Sequence, residues 1–383
     1  MNSIKRVLYG SVLLINMFWF GCKEVENQSF YLNTWKITTI EKFDSINPIL
    51  SPDTTMFFID PISNKGLHWE SRNVLNPSAI VKNDTVFLFY RAQDAKGTSR
   101  IGLAYSEDGL HFSRYPNPVF YPDNDSMFEY EWNYLKKKGD TLDNCKSCYF
   151  DGVEDPRIVQ REDGLFVMTY TAYDGKTARL SLASSMDLFT WEKQGLILAD
   201  KKYKDTWSKS GAIVSKLIDN KVVATKIDNK YWMYFGDTKL FIAYSDDLIN
   251  WIPLENEESQ KLIEVLWPRP GYFDSRLVEP GPFALMTKEG IALIYNSSNA
   301  ANANDVILPK YTYVAGQALY DAQIPYKLLD RTHTYFIRPD QTYEQLGEVN
   351  DVCFVEGMVF FKKQWLLYYG TADSKIAVAK VIN

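Results

Sequence analysis

The chain of 383 residues is 46% hydrophobic and 15% aromatic, enough to bury a large core, and its net charge of −6 carries no footprint for nucleic acid. Three histidines and four cysteines, with no second Cys/His pair at ligand spacing, argue against zinc, and no metal or cofactor is expected. The length would permit two domains, but an internal repeat argues for one.

In chain order, Lys5 and Arg6 precede an apolar run from Val7 to Phe20, broken only by Gly10, Ser11 and Asn16 and ending at Gly21-Cys22. The run is too short for a comfortable membrane span and reads as a targeting segment. A small residue before Cys22 resembles a bacterial lipoprotein cleavage site. Residues 1–22 are therefore expected to be a signal peptide, with Cys22 lipidated and the protein exported to the periplasm or cell surface. Residues 23–47 are expected to be a tether, and residues 48–383 the catalytic domain.

Behind the tether a pattern occurs five times: an aromatic-rich apolar strand, a second strand, and often an Asp-x-x-x-Trp/Phe turn. Residues 87–91, 101–106 and 108–112 form the first copy; 166–170, 180–185 and 187–191 the second; 231–235, 241–245 and 247–251 the third. A looser fourth runs through 291–295 and 315–319, and 365–369 with 376–379 closes the chain. Alternating β-branched and aromatic residues suit strands, and clusters such as Asp123-Asn124-Asp125 and Lys138-Gly139-Asp140 suit loops. Repeats of several short strands at this spacing predict an all-β five-bladed β-propeller with a natural pocket on its axis. Cys145 and Cys148 are spaced for a small-loop disulfide, and Cys353, in an apolar strand, is expected to be a buried free thiol.

The sharpest local feature is Asp151-Gly152-Val153-Glu154-Asp155-Pro156-Arg157, with three acids in five residues. Pro156 holds Asp155 out of the helical region, and Arg157 can pair with a carboxylate in bidentate fashion. Two readings are open: a salt-bridged turn, or a carboxylate aimed into the axial pocket beside a fixed cation. Asp237 ends the first strand of the third copy, and Glu279 lies in Val278-Glu279-Pro280-Gly281-Pro282, just before the fourth. Carboxylates from separate repeats converging on one axis supply the acid and base that glycoside cleavage requires.

Gly152-x-Glu154-Asp155-Pro156-Arg157-Ile158, the strand over 169–175, Lys209-Ser210-Gly211-Ala212 and the last strand over 352–357 together resemble glycoside hydrolase family 130, over roughly residues 70–383. The resemblance implies action on β-mannosides with inversion, by phosphorolysis in one branch and by hydrolysis of β-1,2-linked mannosides in the other. It implies Asp155 as general acid, working through a hydroxyl of the mannose ring. Phosphorylases of the family carry a His-Arg pair and a His where Gly236-Asp237 and Asn296 stand here, and a glycine-rich segment where Glu279 stands. A phosphate dianion beside two carboxylates in a pocket of reduced dielectric is repelled, whereas water there is activated. The expectation is thus an exo-acting β-mannosidase acting on a mannose-containing oligosaccharide, with Glu279 and Asp237 as candidate bases. Glu is expected after Phe-Gly in the hydrolase branch, so the shorter Asp237 leaves Glu279 the favoured base.

Arg91, Arg100, Arg157, Asp174, Lys209, Tyr234 and Asn76 lie in or near matching motifs and are expected to hold sugar hydroxyls or Asp155. For the four cations the competing reading is a structural ion pair at a blade junction. Three other functions stay open: a β-1,4-mannoside phosphorylase, a furanosidase on the same fold, and a glycan-binding lipoprotein without catalysis.

Overall fold

The structure, a computed structural model, describes residues 34–137 and 150–382. The expected signal peptide with Cys22, the first part of the tether, Cys145, Cys148 and the Lys138-Gly139-Asp140 loop lie outside the described residues. Among the described residues the chain is all-β, its helices being three single turns of four residues.

The long strands pair as antiparallel triplets. β1 (Asn73–Lys82), β2 (Thr85–Gln93) and β3 (Thr98–Ser106) form the first. β4 (Asp151–Gln160), β5 (Phe166–Tyr173) and β6 (Ala178–Ser185) form the second. β7 (Gly211–Ile218), β8 (Lys230–Phe235) and β9 (Leu240–Ser245) follow. Then come β10 (Leu277–Pro280), β11 (Ile291–Ser298) and β12 (Tyr313–Tyr320). β13 (Cys353–Phe361), β14 (Gln364–Thr371) and β15 (Lys375–Val381) end the chain. Every strand read from the repeat falls inside one of these. The middle strands carry unbroken apolar runs because neighbouring triplets cover both their faces; Leu88, Phe89 and Tyr90 are buried, as are Leu366 to Tyr369. Cys353 is a buried free thiol, as expected.

The Asp turns share one set of bonds. Asp108, Asp187 and Asp247 each accept the backbone N–H groups two and three residues on, and the hydroxyl of the serine two residues before. The residue after each Asp turns left-handed: Gly109 at φ 78°, Leu188 at 82° and Leu248 at 70°. Glycine reaches this region freely, whereas the two leucines are held there by the Asp and Ser bonds.

One boundary differs from expectation. Residues 34–47, assigned to the tether, are packed on the body. Ile40–Lys42 pairs antiparallel with β15, Ile37 exchanges two hydrogen bonds with the Gln317 side chain, and Trp35 is buried with Ala292 and Leu319. The physical reason is the open edge of β15, which the β-branched run Ile37-Thr38-Thr39-Ile40 is suited to cover.

Candidate active site

The centre of the site is set by bulges in β1, β4 and β13. The ladder slips between Leu75 and Ser78, between Glu154 and Arg157, and between Val355 and Gly357. Pro77 and Pro156 have no N–H for the ladder, so Asn76-Pro77 and Asp155-Pro156 swell out of it. Asn76 and Asp155 sit at φ 49° and 52°. Asp155 is thus out of the right-handed helical region, but left-handed instead of extended, a conformation that persists only where surrounding bonds enforce it.

Those bonds are present. Asp155 is 2% exposed, and its Oδ1 accepts from Asn76 at 2.8 Å and Arg91 at 3.3 Å, while Lys209 Nζ lies 3.4 Å from Oδ2. Burial alone would raise its proton affinity, but Lys209, then Arg91 and Arg157, outweigh it and hold the carboxyl well below the usual range. The adjacent Glu154 takes the other Arg91 nitrogen at 2.6 Å; burial, opposed by Arg91 and aided by the charge of Asp155, pushes it up.

Glu279, on β10, is 7% exposed and accepts the Ser210 hydroxyl on Oε1. Burial raises it to about 7, with Lys209 opposing and Asp237 adding. Asp237, at the end of β8, is half-buried and accepts the Trp207 indole N–H at 2.5 Å and the Thr238 hydroxyl at 3.2 Å. Although burial disfavours its charge, Lys209 is kept firmly protonated by Asp155, Glu279, Glu154 and Asp237 together. One ammonium thus serves carboxylates from three triplets.

Arg157 acts differently from the bidentate partner expected of it. Its guanidinium donates to the carbonyls of Asp155 at 3.0 Å, Pro280 at 2.8 Å and Gly281 at 2.9 Å, and to Glu356 Oε1 at 2.7 Å. It therefore ties the backbone at Asp155 to the backbone just after Glu279. Glu356 is fully buried, and burial drives its proton affinity well up. A cleft of about 340 Å³ opens beside this centre, with Arg91, Glu154, Tyr173, Trp207, Lys209 and Asp373 on its wall. Asp155, Glu279 and Asp237 are not among the lining residues but adjoin Lys209 and Trp207, which are. Burial and the charge of Asp155 raise Asp373 to about 6, against Arg91.

The structure brings Asp155, Glu279, Asp237, Asn76, Arg91, Arg157 and Lys209 together, but not the other three candidates. Arg100 is 1% exposed and spent on Asp60 at 2.6 Å and Asp94 at 2.9 Å. Asp174 accepts the N–H groups of Lys176 and Thr177 and pairs with Arg179 at 2.9 Å. Asp94 does the same with Lys96, Thr98 and Arg100, so both pairs staple the hairpin between second and third strands. Tyr234 is fully buried and gives its hydroxyl to the Pro325 carbonyl at 2.7 Å. Tyr90, Tyr170, Tyr295 and Tyr368, on the other middle strands, are buried likewise and bonded to Glu70, Glu131, Asp274 and the Gly109 carbonyl. These residues serve the repeat, not the cleft, and aligning the copies with one another would have shown it.

Sequence reasoning gave no role to Trp207, Ser210, Glu356 or Asp373. Glu356 carried a signal, a charge inside the apolar 352–357 strand, and Ser210 stood beside Lys209 in the Lys209-Ser210-Gly211-Ala212 motif; Asp373 is joined to the site only by long-range packing. Among the described residues no group of three or more His, Cys, Asp or Glu is placed to hold a metal.

A family model described as beta-1,4-mannooligosaccharide phosphorylase, Glyco_hydro_130, matches residues 40–383. The chain is 30% identical over 322 residues to a 1,2-beta-oligomannan phosphorylase of Thermoanaerobacter sp. (strain X514), covering 81% of this chain and 90% of that protein. It superposes on the crystal structure of a putative glycosidase from Bacteroides thetaiotaomicron VPI-5482 with a TM-score of 0.84 and 43% identity, over 91% of this chain and 97% of that one. A further structure, from work reporting that "the GH130 family of mannoside phosphorylases contains glycoside hydrolases that target beta-1,2 mannosidic linkages in Candida mannan", matches at TM-score 0.84 and 39% identity, over 91% and 95% of the two chains.

Proposed function

The chain belongs to glycoside hydrolase family 130, whose members are enzymes acting on mannosides, and on that premise we propose that it is an inverting, exo-acting β-mannosidase that hydrolyses β-1,2-linked mannosides. The observation that carries the reading is Glu279 itself: a buried carboxylate, raised to about 7, sharing Lys209 with Asp155. It occupies the place where the phosphorylase pattern has no acid. The nearby cations Arg91, Lys209 and Arg157 are already engaged by Glu154, Asp155 and Glu356, which leaves a poor nest for a phosphate dianion. The structural relatives at 39% and 43% identity, one tied to hydrolysis of β-1,2-mannosides, favour the same branch.

In this reading the five triplets are the blades of a propeller, and the mannose ring sits on its axis. Water attacks the anomeric carbon as Glu279 takes its proton. The glycosidic oxygen leaves with a proton that originates on Asp155 and passes through a ring hydroxyl. The products are α-mannose and a shortened chain. Inversion requires the two carboxyls to stand about 6.5–9.5 Å apart, with room for the water. Lys209, Arg91 and Asn76 hold Asp155 charged in the free enzyme; sugar hydroxyls that engage those cations raise its proton affinity on binding.

The pH dependence follows with a definite sign. In the free enzyme one proton is shared by the pair and rests mainly on Glu279. The productive form, with that proton on Asp155, keeps a constant share until the proton is lost. Activity measured as kcat/KM therefore falls as pH rises through about 7. Export and lipidation at Cys22 complete the proposal, on the sequence of residues 5–22 alone. The test is mannose release from β-1,2-mannobiose by wild type, D155N and E279Q. Each substitution is predicted to cost about 10³-fold or more, in line with loss of a general acid or base; near-normal turnover by either variant would refute its role.

A further inference from the structure

The short segment Trp207-Ser208-Lys209-Ser210, leading into β7, touches all three acids of the site. Trp207 donates to Asp237 at 2.5 Å, Lys209 stands 3.4 Å from Asp155, and Ser210 donates to Glu279. The segment is itself fixed. The Ser208 hydroxyl accepts the Leu180 N–H at 3.0 Å, the Ser208 N–H donates to the Ala178 carbonyl at 3.0 Å, and the Lys209 carbonyl accepts the Gly236 N–H at 2.8 Å. Ser210 sits at φ 52°, a region a serine leaves unless something is gained there. What that backbone achieves is to point the hydroxyl at Glu279. Among the described residues no other hydrogen bond reaches this carboxylate.

A glutamate has three side-chain torsions, and a base must offer one particular lone pair to the water it activates. On the reading that Glu279 is the base, we propose that Ser210 is its positioning residue. The hydroxyl pins Oε1, so that Oε2 is the oxygen presented to water. Trp207 acts in parallel on Asp237, holding a second negative charge beside Glu279 that strengthens it as a proton acceptor. The charged and titratable groups facing Glu279 are Lys209, Asp237, Arg157 and Asp155, with Glu356 and Tyr313 behind them. None of them replaces the Ser210 bond.

The experiment is steady-state hydrolysis of β-1,2-mannobiose by the full chain carrying S210A, S210G, E279Q, or S210A with E279Q. S210A is expected to lower kcat about 10–100-fold, the worth of a hydrogen bond to a charged group, with KM within about twofold. Removing the donor raises the proton affinity of Glu279, so the fall of kcat/KM near pH 7 moves to higher pH. S210G, which suits φ 52° better, must lose as much as S210A, because the hydroxyl and not the backbone is at issue. In the E279Q background S210A must cost nothing further, since it acts through the missing base. The proposal is overturned if S210A keeps wild-type kcat and pH profile, if S210G is spared, or if the loss recurs in full in E279Q. Full activity of E279Q alone would instead remove the base assignment on which the proposal rests.

Discussion

Asp155 and Glu279 share one ammonium yet titrate in opposite directions. Asp155 is surrounded by three cations and an amide donor, whereas Glu279 has one serine donor and a carboxylate neighbour. If Asp237 supplies part of that upward push, D237N should lower the proton affinity of Glu279 and move the loss of kcat/KM to lower pH. An unmoved profile would show that burial alone sets it. Arg157→Lys keeps a charge but cannot hold three carbonyls and Glu356 at once. It is predicted to reduce kcat by about 10-fold or more with modest change in KM, as expected when a small displacement upsets reacting geometry. Asp155 and Glu279 were legible in the sequence because proline and glycine flank them in unusual contexts. Asp373 was not, because its place beside Arg91 depends on where distant strands close, and Glu356 showed only as a charge in an apolar strand, its pairing with Arg157 hidden for the same reason.

At the scale of elements, the same tyrosine–carboxylate–cation cluster recurs between triplets. Tyr170, Glu131 and Lys193 form one, and Tyr90, Glu70 and Arg114 another. Burial raises Glu131 to about 7, with Lys193 and Tyr170 opposing. The folded state thus holds a proton that the unfolded chain loses near pH 4.5. Stability from this group is fully present below about pH 4.5 and is lost as pH rises through about 7. E131Q should abolish that component, so in urea unfolding the stability of wild type relative to E131Q should fall between pH 5 and pH 8. Equal differences would reject the assignment. The Asp turns were legible down to their aspartates, since the Asp-x-x-x-Trp/Phe spacing is local. Asp187→Ala, which removes two backbone bonds and one serine bond, should cost on the order of 1 kcal/mol. At Arg100 the structure favours the ion-pair reading over the sugar-binding one, and Asp174 makes the matching pair, because an Asp–Arg spacing that resembles a polar site at a strand end here closes a hairpin.

For the whole molecule, the strand repeat was legible because hydrophobic and aromatic runs are long and regularly spaced. The start of the body was not, because a three-residue edge strand carries little pattern of its own. Deleting residues 1–42 should lower the melting temperature by several degrees relative to deleting residues 1–33, and should promote association through β15. Equal melting of the two deletions would show that Ile40–Lys42 adds nothing. The account as a whole rests on acids from separate triplets activating water where phosphate would otherwise be gripped. The most direct measurement is time-resolved proton and phosphorus NMR of the protein with β-1,2-mannobiose in phosphate buffer. The account predicts α-mannose as the first product, at a rate indifferent to phosphate; formation of mannose 1-phosphate, or turnover that ceases without phosphate, would contradict it.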